Sequence, residues 1–247
     1  MADTPDLAAV LARRIRLVRR DLGGLLFHFT RTPDAKWVKY TTASGGTSAS
    51  PASASAVLWK ILHEGTLLGS DRWSAGRSCV CFTEAPIQEL VSVFSLIEIA
   101  ASQPERPRYE PYGIAVSKEW LYAQGGRPVI YDSPDAEEDY PDPLRYRFVP
   151  YTPGSGPDFT WEREWRIQTP MLTLDPRHTL VVVPTADEAF EITYGFADLV
   201  PDYDDEPTPT GAYHQPSWLT VSLDLFGLKF DPESGLINEA GSPGVEV

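Results

Sequence analysis

The chain has 247 residues, 42% of them hydrophobic, and a formal net charge of −14. Its seven Trp, eleven Tyr and ten Phe exclude wholesale disorder, because disordered chains are poor in large apolar side chains. No apolar run approaches the roughly 20 residues that span a bilayer, and the charged N-terminal segment lacks the pattern of a secretory signal. We therefore expect a globular, cytoplasmic protein, and its acidity argues against a general nucleic-acid coat.

The charge is unevenly distributed along the chain. Residues 1–20 carry a net charge of +3, and residues 187–247 carry a net charge of −12. We expect a basic N-terminal helix over 1–22, a domain over 23–186, and an acidic C-terminal extension over 187–247 that packs on the domain. The basic helix is expected either to keep its charged face in solvent or to bind a polyanion or an acidic partner.

The first half of the chain predicts short strands between helices. LLFHFT, over 25–30, is an apolar run typical of a buried strand. The small-residue stretch 41–55 predicts a mobile surface loop, because it buries too little apolar surface to become ordered. A helix is expected from Ser53 or Ser55 to Gly65. After it we expect a strand over 78–86 and a helix over 87–100.

The second half predicts more strands than helices. Strands are expected over 112–116, 127–131, 144–151 and 178–184. A short helix is expected over 118–124, an acidic loop over 132–143, and a partly helical segment over 186–200. This mixture predicts an α+β fold with a mixed, largely antiparallel sheet and flanking helices.

Common catalytic signatures are missing from the sequence. It has no HExxH zinc motif, no G-x-S-x-G nucleophile elbow, no phosphate-binding P-loop and no Rossmann glycine fingerprint. Cys79 and Cys81 lack a second cysteine pair, so we expect two buried small side chains rather than a metal site. On a strand, His28 points away from Phe27 and Phe29. It is either a hydrogen-bonded core residue or a functional group.

The most informative segment is WEREWR at 161–166. On a strand, Glu162, Glu164 and Arg166 share one face, and the two Trp residues share the other. Two carboxylates this close raise each other's pKa unless a cation lies near them, and Arg166 is expected to be that cation. The segment is either a surface ladder of ion pairs or part of a functional site.

Six segments occur in an order that resembles a known family. They are HFT at 28–30, ILHEGTL at 61–67, VCFTEAPI at 80–87, YGIAVSKEW at 112–120, RPVIY at 127–131 and WEREWRI at 161–167. The set resembles the AbiGi-like abortive-infection (phage-resistance) proteins over roughly residues 24–170. The resemblance implies a role in antiviral defence.

A more distant resemblance is to the ADP-ribosyltransferases, including the DarT-like enzymes that modify DNA. Those enzymes share a first-strand H-x-T, a helix ending in I-L-x-x-G and an essential Glu on a late strand. The resemblance implies an ADP-ribosyltransferase-like fold, NAD as substrate and no metal. By this resemblance His28 and Thr30 contact the nicotinamide-side ribose, and Glu164 or Glu162 is the catalytic carboxylate. The sequence shows no clear S-T-S strand.

The tyrosine that would contact NAD has two candidates, Tyr112 and Tyr131. In such a reaction a carboxylate stabilises the positive charge that develops on the ribose when the glycosidic bond breaks. An aromatic ring stacks on nicotinamide, and residues 41–55 are expected to act as a lid over the dinucleotide.

The sequence therefore predicts an NAD-dependent ADP-ribosyltransferase-like toxin or anti-phage defence effector. Its acceptor is expected to be a macromolecule, either protein or nucleic acid. The alternative is a non-enzymatic partner-binding module of a defence or toxin–antitoxin system, in which the acidic end mimics nucleic acid or binds a basic partner. A defence-system partner or an antitoxin fits either hypothesis, and no membrane partner is expected.

Overall fold

The computed structural model describes residues 23–42, 44–71, 74, 76–86, 97–98, 106–107, 109–155, 158–202, 211–231 and 236–239. The basic helix predicted over 1–22 and most of the helix predicted over 87–100 lie outside these residues. Within the latter, Ile97–Glu98 forms a short strand, so that part of the helix prediction was wrong. Among the helices of the described residues, none combines the length and the apolar composition that crossing a bilayer requires.

The described residues form short strands, three α-helices and several 3₁₀ helices. The α-helices are α1 (Ala54–Glu64), α2 (Lys118–Ala123) and α3 (Ala186–Gly195). The 3₁₀ helices are Pro134–Asp139, Asp142–Arg147, Thr160–Glu162, Pro176–His178 and Leu223–Phe226. The strands are β1 (Leu25–Phe29), β2 (Trp37–Thr41), β3 (Thr47–Pro51), β4 (Thr66–Leu68), β5 (Cys79–Phe82), β6 (Ile97–Glu98), β7 (Arg106–Pro107), β8 (Gly113–Ser117), β9 (Arg127–Pro128), β10 (Ile130–Asp132), β11 (Phe148–Pro150), β12 (Trp165–Gln168), β13 (Met171–Thr173), β14 (Thr179–Val183), β15 (Ala197–Asp202), β16 (Gly211–Pro216), β17 (Leu219–Ser222), β18 (Leu228–Asp231) and β19 (Leu236–Glu239).

Seven strands form the centre of the fold. β1, β8, β14 and β17 make one sheet, and β5, β12 and β9 make another. Reciprocal backbone hydrogen bonds of 2.8 Å between Phe27 and Thr83 join β1 to β5. The resulting order is β9-β12-β5-β1-β8-β14-β17, and all neighbours are antiparallel except β14 and β17. The predicted α+β fold with a largely antiparallel sheet is confirmed, and the acidic last quarter of the chain supplies its edge strand β17.

The central strands separate two hydrophobic cores. Leu26 on β1 lies in the first core, which α1 and α3 cover, whereas Phe27 and Phe29 lie in the second. His28 pairs with Ile114 of β8, and Ile114 belongs to the first core. Because side chains alternate along a strand, His28 faces the first core, away from the two Phe rings as predicted.

Helix α1 has the ends that the sequence predicts. The side chain of Ser53 accepts a hydrogen bond from the backbone N–H of Ala56, which satisfies one of the free donors at the helix start. Gly65 ends the helix in the left-handed region, with φ of 61°, where glycine avoids the strain of a side chain. These local signals fix α1, and its apolar face then packs into the first core.

Gly113 allows β1 and β8 to approach closely. A Cβ at this position would lie 2.4 Å from the carbonyl oxygen of His28 and 2.9 Å from the Cα of Phe29. Both neighbours are backbone atoms, so they have no side-chain freedom with which to move away. Any other residue here would push the two central strands apart.

Residues 41–55, predicted to be a mobile loop, are largely regular structure. β2 and β3 pair in an antiparallel hairpin from Trp37 to Pro51, and β2 packs against α1. The prediction of a mobile loop was wrong. Cross-strand backbone hydrogen bonds and the contact with α1 order these residues, even though their own side chains bury little apolar surface.

The predicted strand over 144–151 is shorter in the structure. Residues 144–147 belong to the 3₁₀ helix Asp142–Arg147, and β11 contains only Phe148–Pro150. The acidic loop predicted over 132–143 contains a second 3₁₀ helix, Pro134–Asp139. Both helices carry Pro in their first two positions, where its fixed φ suits the first turn and its missing N–H is not needed.

Candidate functional site

Glu162 and Glu164 do not lie on one continuous strand, and that prediction was wrong. Glu162 ends the 3₁₀ helix Thr160–Glu162, Arg163 has a left-handed backbone with φ of 46°, and β12 begins at Trp165. Within the described residues, Arg163 is the only non-glycine residue with positive φ. Such a conformation stores about 1–3 kcal/mol of strain and is concentrated at functional sites. A strained turn therefore separates the two carboxylates.

Glu162 is a buried carboxylate whose position is fixed from two sides. Only 6% of the residue is exposed, and its Oε1 accepts a hydrogen bond from the hydroxyl of Tyr109 at 3.1 Å. Its backbone carbonyl accepts bonds from the hydroxyl of Thr83 at 2.6 Å and from the N–H of Glu84 at 3.1 Å. The end of β5 thus holds the turn, and Tyr109 orients the side chain.

Glu164 forms a bidentate ion pair with Arg166, which confirms the predicted cation. Nε and Nη2 of Arg166 donate to the two carboxylate oxygens at 2.7 and 3.1 Å. Nη1 donates to the carbonyls of Tyr146 and Phe148 at 2.9 and 3.3 Å, and Arg166 is only 3% exposed. Burial by itself would lower the pKa of Arg166, but the hydrogen bonds and the negative charge of Glu164 have the larger effect. The net result is a raised pKa. The guanidinium therefore stays charged.

Tyr131 lies beside both carboxylates. Its hydroxyl donates to the carbonyl of Phe159 at 3.3 Å. Burial, together with the negative charges of Glu164 and Glu162, raises the pKa of Tyr131 to about 12. The phenol is neutral at physiological pH. We call Tyr109, Tyr131, Glu162, Glu164 and Arg166 the paired-carboxylate site.

His28 lies on the other face of the sheet from this site. Its Nδ1 donates to the carbonyl of Cys81 at 2.8 Å, and its ring meets Phe82 edge-on at 5.7 Å. Phe82 and Trp165 both belong to the first core, so alternation along β12 turns the neighbouring Glu164 to the opposite face. Burial lowers the pKa of His28, against the opposing effect of the bond to Cys81. His28 and Glu164 therefore do not line one cleft.

Hydrogen bonds of Thr30 and Tyr112 link the ends of the central strands β1 and β8 to the neighbouring helices. The buried hydroxyl of Thr30 contacts the carbonyl oxygens of Ala54 and Tyr112, both at 2.9 Å. The hydroxyl of Tyr112 donates to Glu188 at 2.6 Å, and burial, with Glu188, raises the pKa of Tyr112. These bonds connect β1 and β8 to α1 and α3. Of the two predicted tyrosines, Tyr131 is the one beside the carboxylates.

The two cysteines are free thiols on the strand next to β12. Cys79 is buried and Cys81 is half-buried. Burial raises the pKa of both thiols, and the charge of Glu164 adds to the rise. Raised pKa values keep both sulfurs protonated and poorly nucleophilic. In the described part of the chain, no group of three or more His, Cys, Asp or Glu side chains is placed to hold a metal ion.

Sequence reasoning missed several polar residues around the site. Glu84, 7% exposed, pairs with the ammonium of Lys118 and accepts a bond from Nε1 of Trp165 at 2.9 Å. The polar pair Thr83-Glu84 directly after an apolar strand was a usable signal for this cluster. Tyr109 carried no such signal, because only the fold brings it to Glu162.

No family model, curated protein or solved structure matches the chain. Function is therefore inferred from the paired-carboxylate site.

Proposed function

We propose that the protein is an NAD-dependent ADP-ribosyltransferase-like enzyme, acting as a toxin or anti-phage defence effector, with the paired-carboxylate site as its reaction centre. The observation that carries the proposal is the buried carboxylate of Glu162. It is oriented by Tyr109 in a strained turn, with Tyr131 and a second carboxylate beside it. Fixed charges in a buried setting stabilise a developing positive charge better than mobile water does.

The two carboxylates have different roles in this proposal. Both oxygens of Glu164 are engaged by Arg166, which also binds the carbonyls of Tyr146 and Phe148. Glu164 thus joins β12 to the 142–150 segment and supports the site. Glu162 is the residue we assign to the ribose 2′-OH, because its buried carboxylate is oriented by a hydrogen bond from the neutral phenol of Tyr109.

The proposed reaction replaces nicotinamide by an acceptor group. The glycosidic C–N bond of NAD breaks, and nicotinamide leaves with the bonding electron pair. The ribose carbon then bonds to the acceptor nucleophile, whose proton passes to Glu162. Glu162 stabilises the oxocarbenium-like charge on the ribose, and the neutral Tyr131 offers a ring and a hydroxyl to the nicotinamide end. His28 and Thr30 support the strands and make no contact with NAD in this scheme.

Label transfer from NAD tests the proposal. Purified protein is incubated with adenylate-labelled NAD and fractionated cell extract, and both acceptor labelling and released nicotinamide are measured. We expect Glu162→Gln to lower the rate about 100-fold or more. Tyr131→Phe is expected to weaken NAD binding and keep part of the rate. Glu137→Gln, which changes an exposed carboxylate in the Pro134–Asp139 helix, is the matched control and should retain full activity.

Equal labelling by wild type and Glu162→Gln would contradict the assignment of Glu162. Absence of labelling, of nicotinamide release and of NAD binding by calorimetry would refute the enzyme proposal as a whole. The non-enzymatic binding module then remains. Expression of the Glu162→Gln variant in phage-challenged cells separates these cases, because a binding module keeps its phenotype without the carboxylate.

A further inference from the structure

The outward face of the β2–β3 hairpin is exposed and carries no acidic side chain. Residues alternate along both strands, so one set packs inward and the other faces solvent. The outer hairpin face consists of Trp37, Lys39, Thr41, Thr47, Ala49 and Pro51. Trp37 is 56% exposed at one end of it. Among the described residues no ring contacts this indole, so its exposed surface is available for stacking.

The hairpin is locally positive on a strongly acidic protein. Residues 31–64 contain Arg31 and three Lys against two acidic residues, Asp34 and Glu64, a net charge of 4 − 2 = +2, although the whole chain carries −14. Lys36 and Lys39 are exposed on either side of Trp37, and within the described residues neither forms an ion pair. Lys60 is different, because its ammonium is bound by Glu64 and by the carbonyl of Lys39. The ammonium group of Lys39 thus lies on the same face as the open indole ring, and that of Lys36 belongs to the residue directly before the ring in the chain.

We propose that the outer hairpin face, with Lys36, binds single-stranded nucleic acid. A base stacks on the indole of Trp37, and Lys36 and Lys39 contact the adjacent phosphates. This combination of an aromatic platform with cationic side chains along the backbone path is the physical basis of single-strand binding. Trp37 and Lys39 stand two residues apart on one strand, about 7 Å, so one ring and one ammonium can contact neighbouring groups of a strand.

Other polyanions fit the same face less well. An acidic protein needs the ammonium groups but gains little from an indole flanked by small residues such as Ala49 and Pro51. Duplex nucleic acid keeps its bases stacked on one another, so the ring of Trp37 finds no free base to cover. The binding requires neither NAD nor the paired-carboxylate site, and it therefore stands independently of the proposed reaction.

Fluorescence anisotropy with the full-length protein tests the proposal. The probes are labelled single-stranded DNA and RNA of about 12 nucleotides and the corresponding duplex, at about 50 and 200 mM salt. Both single strands are expected to bind more tightly than the duplex. Trp37→Ala should weaken binding about 5- to 100-fold, and Trp37→Phe should retain most of it. Lys36→Gln with Lys39→Gln should lower the slope of log affinity against log salt by about 1.4.

Matched controls use equally exposed residues elsewhere. Phe190→Ala removes an aromatic ring that is 64% exposed on α3, and Lys229→Gln removes an exposed ammonium on β18. Both should bind like wild type. The proposal is overturned if no single strand binds at low salt, or if Trp37→Ala binds like Phe190→Ala. It is also overturned if duplex and heparin compete as well as single strands, since that result assigns the face to polyanions in general.

Discussion

Replacing Glu164 by Gln removes the negative charge that faces the buried guanidinium of Arg166. In the wild type the carboxylate accepts two hydrogen bonds, at 2.7 and 3.1 Å. The Arg166 side chain is 4% exposed and that of Glu164 is 15% exposed, so water reaches neither group freely. Gln has the same shape as Glu, and the substitution therefore tests charge rather than packing.

The expected loss follows from the surroundings of the guanidinium. Removing one partner of a buried ion pair costs about 3–5 kcal/mol, because the other charge is left uncompensated. The carbonyls of Tyr146 and Phe148 still accept from Nη1, and the Gln oxygen can accept one bond. We therefore expect the lower end, a fall of about 3 kcal/mol in the free energy of unfolding. For a chain of this size, that lowers the melting temperature by about 6–12 °C.

Urea and thermal unfolding measure this effect, with a geometrically matched control. Asp175 and Arg177 form another bidentate pair two residues apart, at 3.0 and 2.7 Å, but the Arg177 side chain is 84% exposed. Water screens that pair, and Asn can still accept from the backbone N–H of Arg177, so Asp175→Asn should lower the melting temperature much less than Glu164→Gln. The double variant Glu164→Leu/Arg166→Met removes both charges and should be more stable than Glu164→Gln. Equal melting temperatures for Glu164→Gln and Asp175→Asn would refute the reasoning.

Three further substitutions test the scaffold. Burial lowers the pKa of His28, so its imidazole binds a proton more readily in the unfolded chain than in the folded one. The free energy of unfolding should therefore fall as the pH drops below 6.5, the ordinary pKa of His. In urea titrations at several pH values, His28→Gln should weaken this pH dependence. Gly113→Ala should lower the free energy of unfolding by about 3 kcal/mol or more, because the added Cβ collides with backbone atoms of β1. Gly24→Ala is the control and should melt like wild type, because no atom lies within 4 Å of its added Cβ. Tyr112→Phe removes the donor to Glu188 and should cost about 1.5 kcal/mol by chemical denaturation; an unchanged value would show that water replaces the phenol.

Local signals account for the elements that the sequence predicted well. The Ser53 cap and Gly65 stop define α1, and the apolar runs at β1, β5, β8 and β14 define central strands. The pairing of Glu164 with Arg166 was also predictable, since the two residues are two apart on one face. Each of these features depends on neighbours within a few positions, where backbone geometry alone sets the distance.

Local patterns failed where long-range contacts compete with them. The alternation in WEREWR predicted a strand, but Thr83, 79 positions from Glu162, holds the Glu162 carbonyl and stabilises a turn instead. The small residues of 41–55 predicted a loop, but pairing with β2 makes β3. Composition and periodicity contain no information on such partners.

The sequence by itself determined that this is an α+β protein with an acidic C-terminal quarter, a capped α1 and a carboxylate, that of Glu164, beside Arg166. It also determined which side of β1 His28 occupies relative to the Phe rings. Only the tertiary structure decided that Tyr109 and Tyr131 meet the carboxylates, that His28 lies across the sheet from Glu164, and that Trp37 faces solvent. The physical reason is that strand order and register bring together groups far apart in the chain, and one position of register reverses the face on which each side chain lies.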